Sequence, residues 1–221
     1  VLVAAALVPP TALLVPGVAG RADVLDAERR ASLAAVTAVV DAGPAHVVVV
    51  TPGSARAEGR LRPTFTAAGV PDSAWSGGGE GTPVDDVAAA VALWLLDRSG
   101  WTGPVRVVGA ADGPLAEAEL RSPGPVGAVL VGGGSARRGP QAPLAQDPRA
   151  VEADAALEAW LATLDPAGPA GLDGALAAEL AISALGPARV LAACGEPLRC
   201  AGVTSTAPFD ATYLVATWVP A

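Results

Sequence analysis

Residues 46–51 read HVVVVT, a run that is apolar on both faces of an extended strand. A strand with one wet face alternates apolar and polar side chains, whereas a parallel strand covered by helices on both sides does not. The flanking segments agree with that reading. Upstream, residues 1–8 form an uninterrupted apolar strand and a Pro-rich loop runs on to Gly20. Residues 23–40 then show helical spacing, with Leu25, Leu33, Val36 and Val40 on one face and Glu28, Arg29 and Arg30 off it. Downstream, residues 52–83 are rich in Gly, Pro, Ser and Arg, end in SGGGEGTP and sustain no period. They predict a long excursion at the carboxyl-terminal edge of a sheet.

The rest of the chain continues the alternation. Thr82 or Pro83 opens a helix over 84–98, with Asp85 and Asp86 in its first turn, where carboxylates suit the helix dipole. Residues 105–109 and 126–131 read as strands around a short helix at 115–121. A helix follows over 150–163, its apolar side carried by Val151, Ala155, Leu157, Trp160 and Leu161. Another is expected over 172–184. Residues 190–194 fit either helix or strand, and 200–204 and 211–218 read as closing strands. The fold class is therefore α/β, a central mixed β-sheet flanked by helices, built as a single domain over 1–221. A chain of this length buries roughly 70% of its unfolded surface. Ala and Val dominate its apolar content, so the core is expected to be finely packed from small side chains.

Composition excludes several functions. All fourteen basic residues are Arg, which removes the Lys that a P-loop or a Schiff-base enzyme requires. A net charge of −8, with Arg137 and Arg138 as the densest basic cluster, argues against a nucleic-acid partner. The uncharged first twenty residues are interrupted by Pro9, Pro10 and Pro16 and lack a positive leading region. They read as a buried strand and its loop rather than an export signal or a membrane span, so the expected location is cytoplasmic. In that reducing compartment Cys194 and Cys200 are expected as free thiols, and their spacing makes a poor zinc site.

In open α/β sheets ligands sit beyond the carboxyl ends of the strands, which directs attention to residues 9–11, 51–55, 109–112 and 132–138. The strongest local pattern is VLVGGGSARR at 129–138, a buried strand opening onto three glycines and a serine. Backbone amides there could receive an anion, with Arg137 or Arg138 adding charge. The plainer reading is a tight turn whose small residues fit against a neighbour. Neither nucleotide motif fits, since Arg137 stands where the third Gly of G-x-G-x-x-G belongs and no Lys completes a P-loop. The single histidine, His46, begins a strand and so lies away from the expected pocket, out of reach of Ser54 or Ser135 for a catalytic triad. Asp85, Asp86 and Asp112 could contribute to a carboxylate-only metal site, but such residues are more often solvated caps.

Three stretches, VLVAAALVPPTALLVP at 1–16, VLVGGGSARRGPQAPLAQDPRAVEADAALEAWLATLD at 129–165 and APFDATYLVATW at 207–218, together resemble a known family. They are similar to actinobacterial proteins of the class III extradiol ring-cleavage dioxygenase family, in its LigB-like branch, which also includes the Memo-like proteins. The resemblance implies a LigB-like α/β fold with a pocket at one end of the sheet. In active members two His and a Glu hold non-haem Fe(II), and a further His serves as acid and base while oxygen enters a catechol ring.

The departures fall on that chemistry. Where the family carries its first metal-binding His, in a P-H-P-P type loop, this chain has Pro10, followed by Thr11. After the second strand, where another His is expected, it has Thr51. The G-D-x-S-H type segment has become Gly132, Gly133, Gly134, Ser135 and Ala136. A facial triad needs two imidazoles and the chain holds one. The expectation is a dioxygenase-like protein without metal ligands or cofactor of its own, catalytically silent but with a retained pocket. The pocket candidates are Pro10, Thr11, Thr51, Gly132, Gly133, Ser135, Arg137 and Arg138. A small acidic ligand held by the Gly/Ser/Arg loop is the alternative, and the reading admits either a homo-oligomer or a non-catalytic partner chain of a ring-opening dioxygenase.

Overall fold

The computed structural model describes residues 1–75 and 80–221; the serine and glycines of SGGGEGTP at 76–79 lie outside the described residues. The strands are β1 (Leu2–Val8), β2 (His46–Thr51), β3 (Ala57–Gly59), β4 (Leu61–Pro63), β5 (Thr82–Val84), β6 (Val105–Gly109), β7 (Val126–Val131), β8 (Leu198–Thr206) and β9 (Tyr213–Pro220). The helices are α1 (Asp26–Asp41), α2 (Val87–Arg98), α3 (Gly113–Leu120), α4 (Ala150–Leu161), α5 (Gly174–Glu179) and α6 (Leu185–Ala193). Seven strands form one sheet in the order β3-β6-β2-β7-β1-β9-β8, and β4 pairs with β5 in a separate parallel ribbon. The protein is thus α/β, with a mixed central sheet flanked by helices.

The central four strands, β6-β2-β7-β1, are mutually parallel, with Val49 opposite both Val107 and Val129. Their alternating side chains enter two cores. Val48, Val50, Ala128 and Leu130 pack with α3, α4, α5 and α6, while Val47, Val49, Val129 and Val131 pack with α2, part of α1 and the loops around Phe65 and Trp75. Each fully buried Val or Leu contributes about 1.5–3 kcal/mol, so the apolar run at 46–51 secures the sheet from both sides. Antiparallel β9 lies against β1, and antiparallel β8 closes that side as an edge strand. Trp218, on β9, is fully buried and donates its indole N–H to the Leu161 carbonyl at 2.9 Å, tying the strand to the end of α4.

Several boundaries differ from the sequence reading, each for a local reason. The excursion over 52–83 contains strands: β3 returns antiparallel to β6, and β4 and β5 pair with each other. Helix α2 starts at Val87 because Val84 belongs to β5, and Asp86 is its N-cap, accepting the Ala89 N–H at 2.8 Å. The helix expected over 172–184 breaks after α5, where Ala181 turns to a left-handed φ of 54° and the Ser183 and Ala184 amides both donate to the Gly133 carbonyl at 3.0 Å. Residues 190–193 are helical, as part of α6. On α4 the buried side is Ala150, Ala153, Asp154, Leu157, Trp160 and Leu161; Val151 and Ala155 face solvent instead.

Candidate functional site

The carboxyl ends of β1, β2, β6 and β7, at Val8, Thr51, Gly109 and Val131, share one edge of the sheet, and the start of β9 joins them there. Two arrangements occupy this edge. The first is the turn over 132–135. Its four amides all donate to protein groups: Gly132 to the Val8 carbonyl at 2.9 Å, Gly133 to Ser183 Oγ at 2.9 Å, Gly134 to the Thr212 carbonyl at 3.0 Å and Ser135 to Asp154 Oδ1 at 2.7 Å. The glycines are required by contact with other segments. A Cβ on Gly132 would stand 2.4 Å from Ala184 Cα, and one on Gly134 2.6 Å from Asp154 Oδ1. The turn is therefore a junction of β7, α4, β9 and the α5–α6 break, with its amides directed into the protein.

Asp154 is the hub of that junction. Thr212 donates its hydroxyl to Asp154 Oδ2 at 2.5 Å, and the Arg138 guanidinium lies 3.9 Å from the same oxygen while donating to Thr212 Oγ1 at 3.3 Å. Burial pushes the Asp154 carboxyl above its usual range, opposed by the bonds from Thr212 and Ser135 and by the charge of Arg138. Ser135 is itself saturated: its hydroxyl donates to the Leu180 carbonyl at 2.8 Å and accepts from the Arg137 amide at 3.1 Å. Asp154, Thr212 and Ser183 were missed in the sequence, although Asp154 stands four residues after Ala150 and three before Leu157, on the helix face that is buried.

The remaining candidates are dispersed around this junction. Pro10 packs against Gly133, Thr11 caps the turn at Ala12–Leu14 by accepting the Leu13 N–H at 3.2 Å, and the Arg137 guanidinium donates to the Ala145 carbonyl at 3.0 Å. Thr51 is fully buried, and among the described residues neither its hydroxyl nor the buried Arg137 Nε has a hydrogen-bond partner. His46 lies at the opposite edge, beside Val126 at the start of β7, with Nε2 2.8 Å from Ser122 Oγ. Burial, aided by the charge of Arg106, lowers its pKa and favours the neutral ring.

The second arrangement is an open cleft of about 550 Å³ where β3, β5 and the loop after β2 meet. It is lined by Ser54, Arg56 and Ala57 of one segment and by Thr82, Asp85 and Asp86 of another, with the buried Val84 and Val107 beneath them. The loop reaches this position because it crosses the end of β6 at contact distance: the Ala111 amide donates to the Gly53 carbonyl at 3.1 Å, and a Cβ on Gly109 would stand 2.0 Å from that oxygen. None of the eight candidates named from sequence lines the cleft, whereas Ser54, Asp85 and Asp86 do. Asp112 is exposed at the end of the turn Ala110–Asp112. Among the described residues no three His, Cys, Asp or Glu side chains are grouped to share a metal ion, and no helix is long and apolar enough to cross a membrane. Neither a protein-family model nor a curated protein matches the chain.

Proposed function

We propose that this chain is a catalytically silent relative of the class III extradiol dioxygenases, one that keeps the α/β scaffold and a cleft at the carboxyl edge as a binding surface but does not open catechol rings by itself. The observation that carries the reading is the position of the only imidazole. His46 sits at the amino edge, bonded to Ser122, with the length of β2 between it and Thr51. The positions corresponding to the family's ligands hold Pro10, Thr51 and the 132–135 turn, and that turn spends its amides on protein partners. Hydroxyls, a proline and glycines do not supply the two-imidazole, one-carboxylate donor set that ferrous iron needs, so the residues do not fit the metal.

The proposal includes a cytoplasmic location, no nucleic-acid partner and a small-molecule ligand or a second protein chain as the bound species. The excess of twenty-two acidic over fourteen basic residues supports the exclusion of nucleic acid. The test is oxygen consumption: protein loaded with Fe(II) under anaerobic conditions is mixed with a panel of catechols and then with air. No uptake above a protein-free blank and no ring-opened product are expected; steady turnover would overturn the reading.

A further inference from the structure

We infer that the cleft between β3 and β5 is a binding site for a small zwitterion, an ω-amino acid or comparable molecule with one anionic and one cationic end. Two segments that line it carry opposite charge, 54–57 with Arg56 and 82–86 with Asp85 and Asp86, yet no ion pair joins them among the described residues. Asp86 gives one oxygen to the Ala89 amide, while Arg56 and Asp85 have no partner at all among those residues. Opposite charges that face a common space without meeting are complementary to an occupant carrying the same pair in reverse order. The guanidinium would take a carboxylate in two parallel hydrogen bonds, and the aspartate would take an ammonium. Ala57 and Val107, paired across β3 and β6, belong to the same lining, and the half-buried Ala57 gives a short methylene chain an apolar contact. The volume of about 550 Å³ lies in the range of small-molecule sites.

The backbone segments that carry these charged side chains are held in place by pairing and close contact. Gly53 and Gly109 bring the loop over the end of β6, and β3 then holds Arg56 at the rim; the β4–β5 ribbon and the start of α2 hold Asp85 and Asp86. This inference rests on the reading of the chain as a binding protein, and its test uses no catechol or iron, so its failure would leave the absence of ring cleavage standing.

The experiment is titration calorimetry of the full chain with 4-aminobutyrate and 6-aminohexanoate, and with butylamine and butyrate as single-charge controls. At least one zwitterion is expected to bind at least tenfold more tightly than either control. Arg56→Gln and Asp85→Asn should each weaken it at least tenfold, with the circular dichroism spectrum unchanged, while Arg199→Gln, on the far edge strand β8, should have no effect. Binding of neither zwitterion, a control that binds equally well, or affinity indifferent to both cleft substitutions would overturn the assignment.

Discussion

Asp154 has two acceptor oxygens and both are used, one by the Ser135 amide and the other by the Thr212 hydroxyl, with Arg138 at the edge of reach. Its burial raises its pKa in the fold above the unfolded value of about 3.9. A raised carboxyl binds its proton more tightly in the folded than in the unfolded state, so its contribution to stability is fullest below the unfolded value and falls as pH rises through the folded one. In denaturant titrations across that window the stability of the wild type relative to Asp154→Asn should decline as pH rises, because the amide keeps an acceptor for Ser135 and has no proton to lose. Asp154→Ala should cost about 3 kcal/mol at neutral pH, leaving two buried donors without partners. Gly134→Ala drives a Cβ to 2.6 Å from Asp154 Oδ1 and 2.7 Å from Thr212 Cβ, and should lose about 1–3 kcal/mol in the same assay.

The elements that could be read directly are those whose environment is uniform along their length. The strand at 46–51 is covered on both faces and its composition says so, and β1 and β7 follow the same logic. The excursion over 52–83 could not be read, because β3, β4 and β5 are three residues each and owe their existence to pairing with distant segments. The α5–α6 break was hidden for the same reason, being fixed by hydrogen bonds from Ser183 and Ala184 to Gly133, some fifty residues away. The site shares that division. The 132–135 turn was visible as a small-residue turn at a strand end, but the partners of its amides come from α4, β9 and the α5–α6 break, which no local pattern announces. Gly109→Ala examines a close contact of the cleft's loop: a Cβ 2.0 Å from the Gly53 carbonyl must displace it. About 1–3 kcal/mol should be lost, and hydrogen exchange should quicken at the amides of Ala57–Gly59 as β3 detaches from β6.

Across the whole molecule, the sheet separates its chemical resources between two edges. The carboxyl edge holds a sealed junction around Asp154 and an open, charged cleft around Arg56 and Asp85, whereas the single imidazole stands at the amino edge next to Ser122. Extradiol ring opening needs iron, oxygen and catechol at one point, and the donors present at the open edge are carboxylates, hydroxyls and a guanidinium. The most direct measurement of this account is metal content: the purified chain is incubated anaerobically with excess Fe(II), desalted and analysed for iron per polypeptide, alongside His46→Ala. The account predicts far less than one iron per chain and no difference between the two proteins. One firmly retained iron per chain, lost on removal of His46, would contradict it.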